Sequence, residues 1–276
     1  MTTIARSHVV ITGGSSGIGL ATAQLLAERG AQVSLVARDE ERLAAAAALV
    51  AGAAPASTVG VAAADVRDPD AVVAAFAGLT ARFGPCDVLV TAAGSAHPGY
   101  FEQLDESVFR DQMEVDYFGT LHAVRTVVPS MIERRRGHLV LVGSTTSLIG
   151  VFGYTAYAPA KFAVRGLAET LRAELAPYDI VVSCAYPPDT LTPGLDAENE
   201  LKPAETARIS AAIKPRDAAT VARAIVRGIE RDRLVVTADF QTAALARAAG
   251  LLAPYVRRSM DRTVRKVRRA RGTFGA

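Results

Sequence analysis

Cysteine is scarce. The 276 residues hold two, Cys86 and Cys184. Two thiols cannot build a disulfide framework, and a reducing, cytoplasmic compartment is the simpler expectation. Long apolar runs are missing too: no uninterrupted stretch reaches the roughly 18 residues that a membrane-crossing helix needs. The N-terminal run Val9-Val10-Ile11 is too short for a signal peptide and leads straight into glycines. Neither sign of charge dominates, with 31 Lys and Arg against 28 Asp and Glu, a net +3. That is too little for a nucleic-acid footprint across the chain, and no groove-reading module or stacking aromatics accompany the basic C-terminal stretch. The histidines, His97 and His122 among them, show no ligand spacing, so no metal is expected.

What is present is apolar surface, half of all residues, enough for a sizeable core. Short β-branched runs over 8–12, 32–37, 58–63, 87–91, 138–143, 180–186 and 234–236 alternate with helical patterns over 17–28, 39–50, 70–82, 107–134, 156–177 and 216–231. This alternation predicts an α/β fold, a Rossmann-like, doubly wound parallel sheet with helices on both faces and ligands at the carboxyl ends of its strands. Residues 1–240 read as that body. Within it, 188–215 is rich in Pro, Asp and Thr, with one short helix over 204–212, and a segment of this kind is expected to be a lid. Residues 241–276 read as a separate basic amphipathic helix.

Thr12-Gly13-Gly14-Ser15-Ser16-Gly17-Ile18-Gly19 follows the first strand and opens the first helix. Glycines let the backbone turn tightly and approach a pyrophosphate, and the helix N-terminus offers free N–H groups and a positive dipole end. The second strand ends at Ala37-Arg38-Asp39. A free ribose 2′-hydroxyl prefers a carboxylate at that end, whereas the planar fork of Arg38 suits a 2′-phosphate, so NADPH is favoured over NADH. Asp39 competes for this role, but it also reads as the N-cap of the next helix. Asp65, after the third strand, is expected to cap a helix or to contact the adenine.

Tyr157-Ala158-Pro159-Ala160-Lys161 opens a long helix and places a phenol and an ammonium one turn apart on one face. The ammonium favours the phenolate and is expected to lower the phenol's pKa, tuning it as general acid to a carbonyl oxygen. Ser144 ends the fifth strand, where its hydroxyl can hydrogen-bond a developing alkoxide, and Ser147 is its rival.

Glycine loop, serine and Tyr-x-x-x-Lys, with their spacing, resemble the short-chain dehydrogenase/reductase family over about residues 8–237. The resemblance selects Ser144, thirteen residues before Tyr157. It implies that Tyr157 and Lys161 also contact the cofactor, with Lys161 on the nicotinamide ribose. It further implies that Pro187, Thr190 and Thr192 bind the nicotinamide end, that Asp65 and Val66 lie by the adenine, and that Ala93 and Gly94 lie beside the cofactor. Two positions depart from the family pattern. Thr91-Ala92-Ala93-Gly94 stands for its Asn-Asn-Ala-Gly, and Asp116 stands for the asparagine of its proton relay. A carboxylate there would stabilise the Lys161 ammonium and disfavour the phenolate.

The runs 148–157, 165–169 and 185–194, with Lys202-Pro203-Ala204-Glu205-Thr206, resemble a narrower branch, the 3-ketodihydrosphingosine reductases. In that branch Pro188 follows the first lid proline, where most of the family has glycine. This resemblance implies reduction of a 3-keto group on a long-chain amino alcohol, with Leu191, Leu195, Leu201 and Ile209 covering the acyl chain or packing on the sheet. The other readings are a reductase of another β-keto lipid, such as a 3-oxoacyl thioester or β-keto ester, and a non-catalytic NADPH-binding regulator. The family commonly pairs through the helices 107–134 and 156–177, implying a homodimer or homotetramer. The tail over 242–271 carries Arg257, Arg258, Arg262, Arg265, Lys266, Arg268, Arg269 and Arg271 against Asp261. A basic amphipathic helix suits peripheral contact with an anionic cytoplasmic membrane face. Packing on the body or on a partner is the other expectation for it.

Overall fold

The computed structural model describes residues 1–211 and 213–271. In chain order its elements are β1 (His8–Thr12), α1 (Gly17–Glu28), β2 (Gln32–Ala37), α2 (Glu40–Ala53), β3 (Val59–Ala63), α3 (Pro69–Phe83), β4 (Val88–Thr91), α4 (Glu106–Gln112), α5 (Gly119–Arg134), β5 (Gly137–Val142), α6 (Tyr157–Leu175) and β6 (Ile180–Ala185). There follow β7 (Thr190–Leu191), α7 (Pro193–Leu201), α8 (Ala204–Ser210), β8 (Arg216–Asp217), α9 (Ala218–Glu230), β9 (Val235–Val236) and α10 (Phe240–Ala270). Among the described residues, seven strands form one sheet in the order β3-β2-β1-β4-β5-β6-β9, and every pairing is parallel. The chain winds outward from β1 in one direction and then from β4 in the other. The crevice at this reversal is where an open α/β sheet takes its ligand.

The central strands are mostly apolar because both faces are covered, and their buried polar residues pair with one another, His8 with Ser34 and His138 with Ser183. Along β1, Val9 and Ile11 join the core beneath α1, α2 and α9, while Val10 joins the one beneath α3, α5 and α6. Leu26, Leu43, Ile225 and Ile229 fill the first layer, and Phe76, Leu79, Met131 and Val164 fill the second. Cys86 and Cys184 are both free and buried in the second.

Three expectations are corrected. The single helix expected over 107–134 is α4 and α5 joined by a π-helical turn, Met113–Phe118. This widened turn carries Asp116, and such turns recur at functional sites because they admit a residue that the regular 3.6-residue pitch would place elsewhere. The lid contains two helices, α7 and α8, where one was expected. Its β7 also pairs in parallel with β8, so the segment is ordered by its own two-stranded sheet. Ala212, the last residue of the expected lid helix, lies outside the described residues, as do 272–276 of the tail. Finally, α10 is broken at Ala248 (φ −126°, ψ 25°), where one continuous helix was expected. The break turns the cationic half of the tail back toward the lid, where Arg268 meets Glu205 at 3.2 Å. Leu245 and Ala246, before the break, pack on the core beneath α6. No described helix is long and apolar enough to cross a membrane.

Candidate active site

The glycine loop is built for close approach. Gly13 has φ +68°, and a Cβ there would lie 2.5 Å from the Ala93 nitrogen. Gly17 has φ +54° and faces the Thr192 methyl, while a Cβ on Gly19 would collide with the Gly13 carbonyl. Ser16 occupies the N-cap of α1 in an extended conformation, yet its side chain makes no capping bond. The first N–H groups of α1 therefore keep their capacity for an anion. Ser15, Ser16 and Ile18 are half-buried along the same lip. These features fit a pyrophosphate: a backbone cradle, an uncapped helix end, and Ala93 and Thr192 closing its sides.

Arg38 lies exposed beyond the end of β2. Its rival Asp39 caps α2, accepting from the Arg42 N–H at 3.0 Å, so that carboxylate is already engaged. Asp65 caps no helix; Asp68 caps α3, accepting from the N–H groups of Asp70 and Ala71. Asp65 instead closes a turn and holds Arg67 at 2.6 Å, and hydrogen bonding from that guanidinium holds its carboxyl below the ordinary range. Arg67 is thus a second arginine at the expected adenine end, unmarked by any sequence motif. Val66 is buried against Gly119, and its carbonyl meets His122 Nδ1 at 2.9 Å.

At the other end of the crevice Ser144 follows β5 and caps the 3-10 turn Thr145–Ser147. Its Oγ accepts from the Thr146 N–H at 3.1 Å, and Ser147 Oγ accepts from the Ser144 N–H at 3.0 Å. Ser147 is fully buried in this structural task, whereas Ser144 is near enough to the Tyr157 hydroxyl to pull its pKa down. Tyr157 opens α6, and one turn on Lys161 Nζ sits 5.7 Å from the Tyr157 ring centre. That ammonium donates to the Val142 carbonyl at 3.2 Å and lies 3.0 Å from Asp116 Oδ1.

Asp116 has no solvent exposure. Neither of its oxygens has a well-aligned hydrogen-bond donor among the described residues, so the contact with Lys161 is an ion pair held by charge. Burial pushes its carboxyl above the ordinary range, against the pull of Lys161. Burial acts to lower Lys161, but Asp116 and Tyr157 outweigh it and hold the ammonium above its usual value. Gly94 makes room for the pair, since a Cβ there would lie 2.5 Å from Asp116 Oδ1 and 3.2 Å from Lys161 Nζ.

The expected lowering of the Tyr157 pKa is corrected. Desolvation dominates and pushes the phenol up to about 12; Lys161 and Ser144 pull it down, while Asp116 and Glu198 add to the rise. The phenol is therefore protonated near neutrality, the state a proton donor needs.

The Thr190 hydroxyl donates to the Pro188 carbonyl at 2.7 Å, which leaves its oxygen able to accept a further hydrogen bond. The Pro187 carbonyl accepts from the Thr145 N–H. Thr192 caps α7 and touches Gly17, joining lid to cradle. Of the expected chain-covering residues, Leu195 is buried, Ile209 is half-buried, and Leu191 and Leu201 face solvent. One cluster went unforeseen. Tyr154 packs 5.8 Å from the Tyr157 ring and donates to Glu198 at 2.5 Å, and Glu198 pairs with Lys202 at 2.8 Å. The i,i+4 spacing of Glu198 and Lys202 was the available signal.

Comparison with known proteins agrees with this geometry. The model of the short chain dehydrogenase family matches residues 7–202, and the chain belongs to that family. Among curated relatives, it is 43% identical over 224 residues to the 3-dehydrosphinganine reductase of Danio rerio, covering 80% of this chain and 68% of that one. It is 40% identical over 265 residues to a 3-ketodihydrosphingosine reductase of Dictyostelium discoideum, covering 90% and 79%. Among solved structures, levodione reductase superposes with a TM-score of 0.80 at 28% identity, covering 87% of this chain and 99% of that one. A short-chain dehydrogenase from Sphingobium yanoikuyae in complex with NADPH superposes with 0.76 at 27% identity, covering 86% and 90%.

Proposed function

We propose that this enzyme reduces the 3-keto group of 3-ketodihydrosphingosine, a long-chain 2-amino-1-hydroxy ketone, to the alcohol with NADPH. The observation that carries the reading is the protonated Tyr157 held between Ser144 and Lys161 at the mouth of an anion cradle, in a chain of this ancestry. The nicotinamide cofactor supplies a hydride to the carbonyl carbon. Tyr157 gives its proton to the carbonyl oxygen, Ser144 Oγ hydrogen-bonds the same oxygen, and Lys161 steadies the phenolate left behind. The glycine loop and the start of α1 would hold the pyrophosphate, and Lys161 would also bind the nicotinamide ribose. The assay is NADPH oxidation by the purified chain with 3-ketodihydrosphingosine and, separately, with a 3-oxoacyl thioester of equal chain length. Faster turnover of the sphingoid ketone is expected; a faster thioester would overturn the substrate assignment.

Arg38 is assigned to the 2′-phosphate, supported by the commitment of Asp39 to α2. Loss of a charge-assisted hydrogen bond costs about 1.5–3 kcal/mol, so Arg38→Ala should cut the NADPH-over-NADH ratio of kcat/KM by about tenfold or more. An unchanged ratio would leave Arg67 as the partner.

Residues 1–240 form the reductase body in this reading, and the chain from 241 is its extension toward a lipid surface. A groove of about 500 Å³ lies between Gly150 and Phe152 on one side and Met260 and Val264 of α10 on the other, with Arg257, Asp261 and Arg265 along it. It adjoins the loop leading to Tyr154 and Tyr157, a suitable place for a long chain. On α10, Leu251 and Tyr255 are 78% and 73% exposed. Exposed Arg258 and Arg262 continue the same helical stripe. The chain should co-sediment with phosphatidylglycerol vesicles at low salt and not with phosphatidylcholine vesicles. Arg258→Glu with Arg262→Glu should release it; equal sedimentation with both lipids would refute the electrostatic contact.

A further inference from the structure

The ketone proposed as substrate differs from other long-chain ketones by an ammonium on the carbon next to the carbonyl. Wherever Tyr157 holds the oxygen, that ammonium must lie beside it, stripped of much of its water. A desolvated ammonium costs several kcal/mol unless a carboxylate meets it. Near Tyr157 the described residues offer Asp116, Asp189 and Glu198. Asp116 is spent on Lys161, the two filling the space that Gly94 leaves open.

The lid side is different. Glu198 is anchored by the Tyr154 hydroxyl, and the Tyr154 ring lies against Tyr157. Lys202 Nζ, whose side chain is 2% exposed, lies 2.8 Å from Glu198 and 3.5 Å from Asp189. One ammonium therefore serves two carboxylates, and one negative charge is left over. The Asp116–Lys161 pair is neutral in sum, so the site's surplus negative charge sits on the lid. The placement fits as well. Thr192, at the cap of α7, touches Gly17 of the cradle, and Glu198 lies about 9 Å farther along at 1.5 Å per helical residue. Between cofactor loop and Tyr154 is where the substituent next to a reacting carbonyl must pass.

We propose that Glu198, set by Tyr154 and Lys202, is the residue that binds the substrate's ammonium and so selects a 2-amino ketone over long-chain ketones that lack the amine. The inference rests on the amino-ketone reading above. It also links recognition to the proton transfer. The Glu198 charge opposes phenolate formation on Tyr157. A bound ammonium offsets that charge as the proton leaves, so the amine favours its own reduction.

The test uses the full chain with NADPH and three ketones of one chain length: 3-ketodihydrosphingosine, its N-acetyl derivative, and the 1-hydroxy-3-ketone lacking nitrogen. Wild type should prefer the free amine by at least about tenfold in kcat/KM, the lower end for a charge-assisted hydrogen bond. In Glu198→Gln the preference should collapse by about the same factor. Equal loss on all three ketones would make Glu198 a lid latch and overturn the proposal, as would a wild type indifferent to acetylation. If Glu198→Gln fails to fold, Glu198→Asp, which keeps the charge and shortens its reach, carries the same three-ketone comparison, and a preference unchanged in it overturns the proposal. Failure of the parent reading looks different: a 3-oxoacyl thioester of equal chain length is then turned over faster than any of the three ketones.

Discussion

Tyr157→Phe should abolish ketone reduction while leaving the fold and cofactor binding in place. General acid catalysis contributes on the order of 100- to 10,000-fold, and a loss of that size in kcat is the expected result. The phenol is pushed up to about 12 by desolvation, so near neutrality it carries the proton that the alkoxide must receive. Phenylalanine keeps the ring that packs 5.8 Å from Tyr154 and removes only the hydroxyl. Enhancement or quenching of NADPH fluorescence on titration should therefore persist, and the circular dichroism should match wild type. A folded variant reducing ketone at wild-type speed would end the mechanism given above.

Lys161→Met should be the most damaging single change to stability and should also lower turnover, and Asp116→Asn should partly repair its stability. The Lys161 ammonium lies 3.0 Å from a carboxylate with no exposure. Removing one partner of a buried pair costs about 3–5 kcal/mol, because the other charge stays behind without compensation. In Lys161→Met, burial still raises the Asp116 carboxyl, now unopposed by the ammonium that pulls it down. A group whose folded pKa exceeds its unfolded value near 4 stabilises the fold while protonated and loses that contribution as pH rises. Lys161→Met should thus melt progressively lower as pH increases from about 4 toward neutrality, and the double variant should lose this slope. Identical pH slopes in the two variants would show that the Asp116 carboxyl is not the group whose titration sets the slope. Asp116→Asn alone should retain substantial activity, because Ser144, Tyr157 and Lys161 remain. The Asp116 charge raises the phenol pKa, so its removal should move the alkaline limb of the reduction profile to lower pH. A limb that stays put or moves upward would refute that coupling.

Legibility in the sequence follows the range of the interactions. The cradle was readable because its glycines, helix start and strand end are neighbours in the chain. Tyr157 and Lys161 were readable because one helical turn fixes their distance, whatever surrounds them. Arg67 and the Tyr154–Glu198–Lys202 cluster were not, since nothing nearby in the chain announces that α7 folds over Tyr154. The π-turn was missed for a similar reason. It leaves the apolar spacing of 107–134 almost unchanged while rotating Asp116 inward.

By itself the chain's order of residues determined the layered α/β fold, the anion cradle and the phenol–ammonium pair, all products of local periodicity and strand-end chemistry. Folding in three dimensions decided the rest. It set the sign of the Tyr157 shift, because desolvation belongs to the surroundings and not to the spacing. It seated Asp116 on Lys161 in the space that Gly94 leaves, bonded the Thr190 hydroxyl to the Pro188 carbonyl, broke α10 at Ala248 and brought Arg268 to Glu205 of the lid. Each of these depends on surfaces far apart in sequence that meet only once the sheet and its helices are assembled.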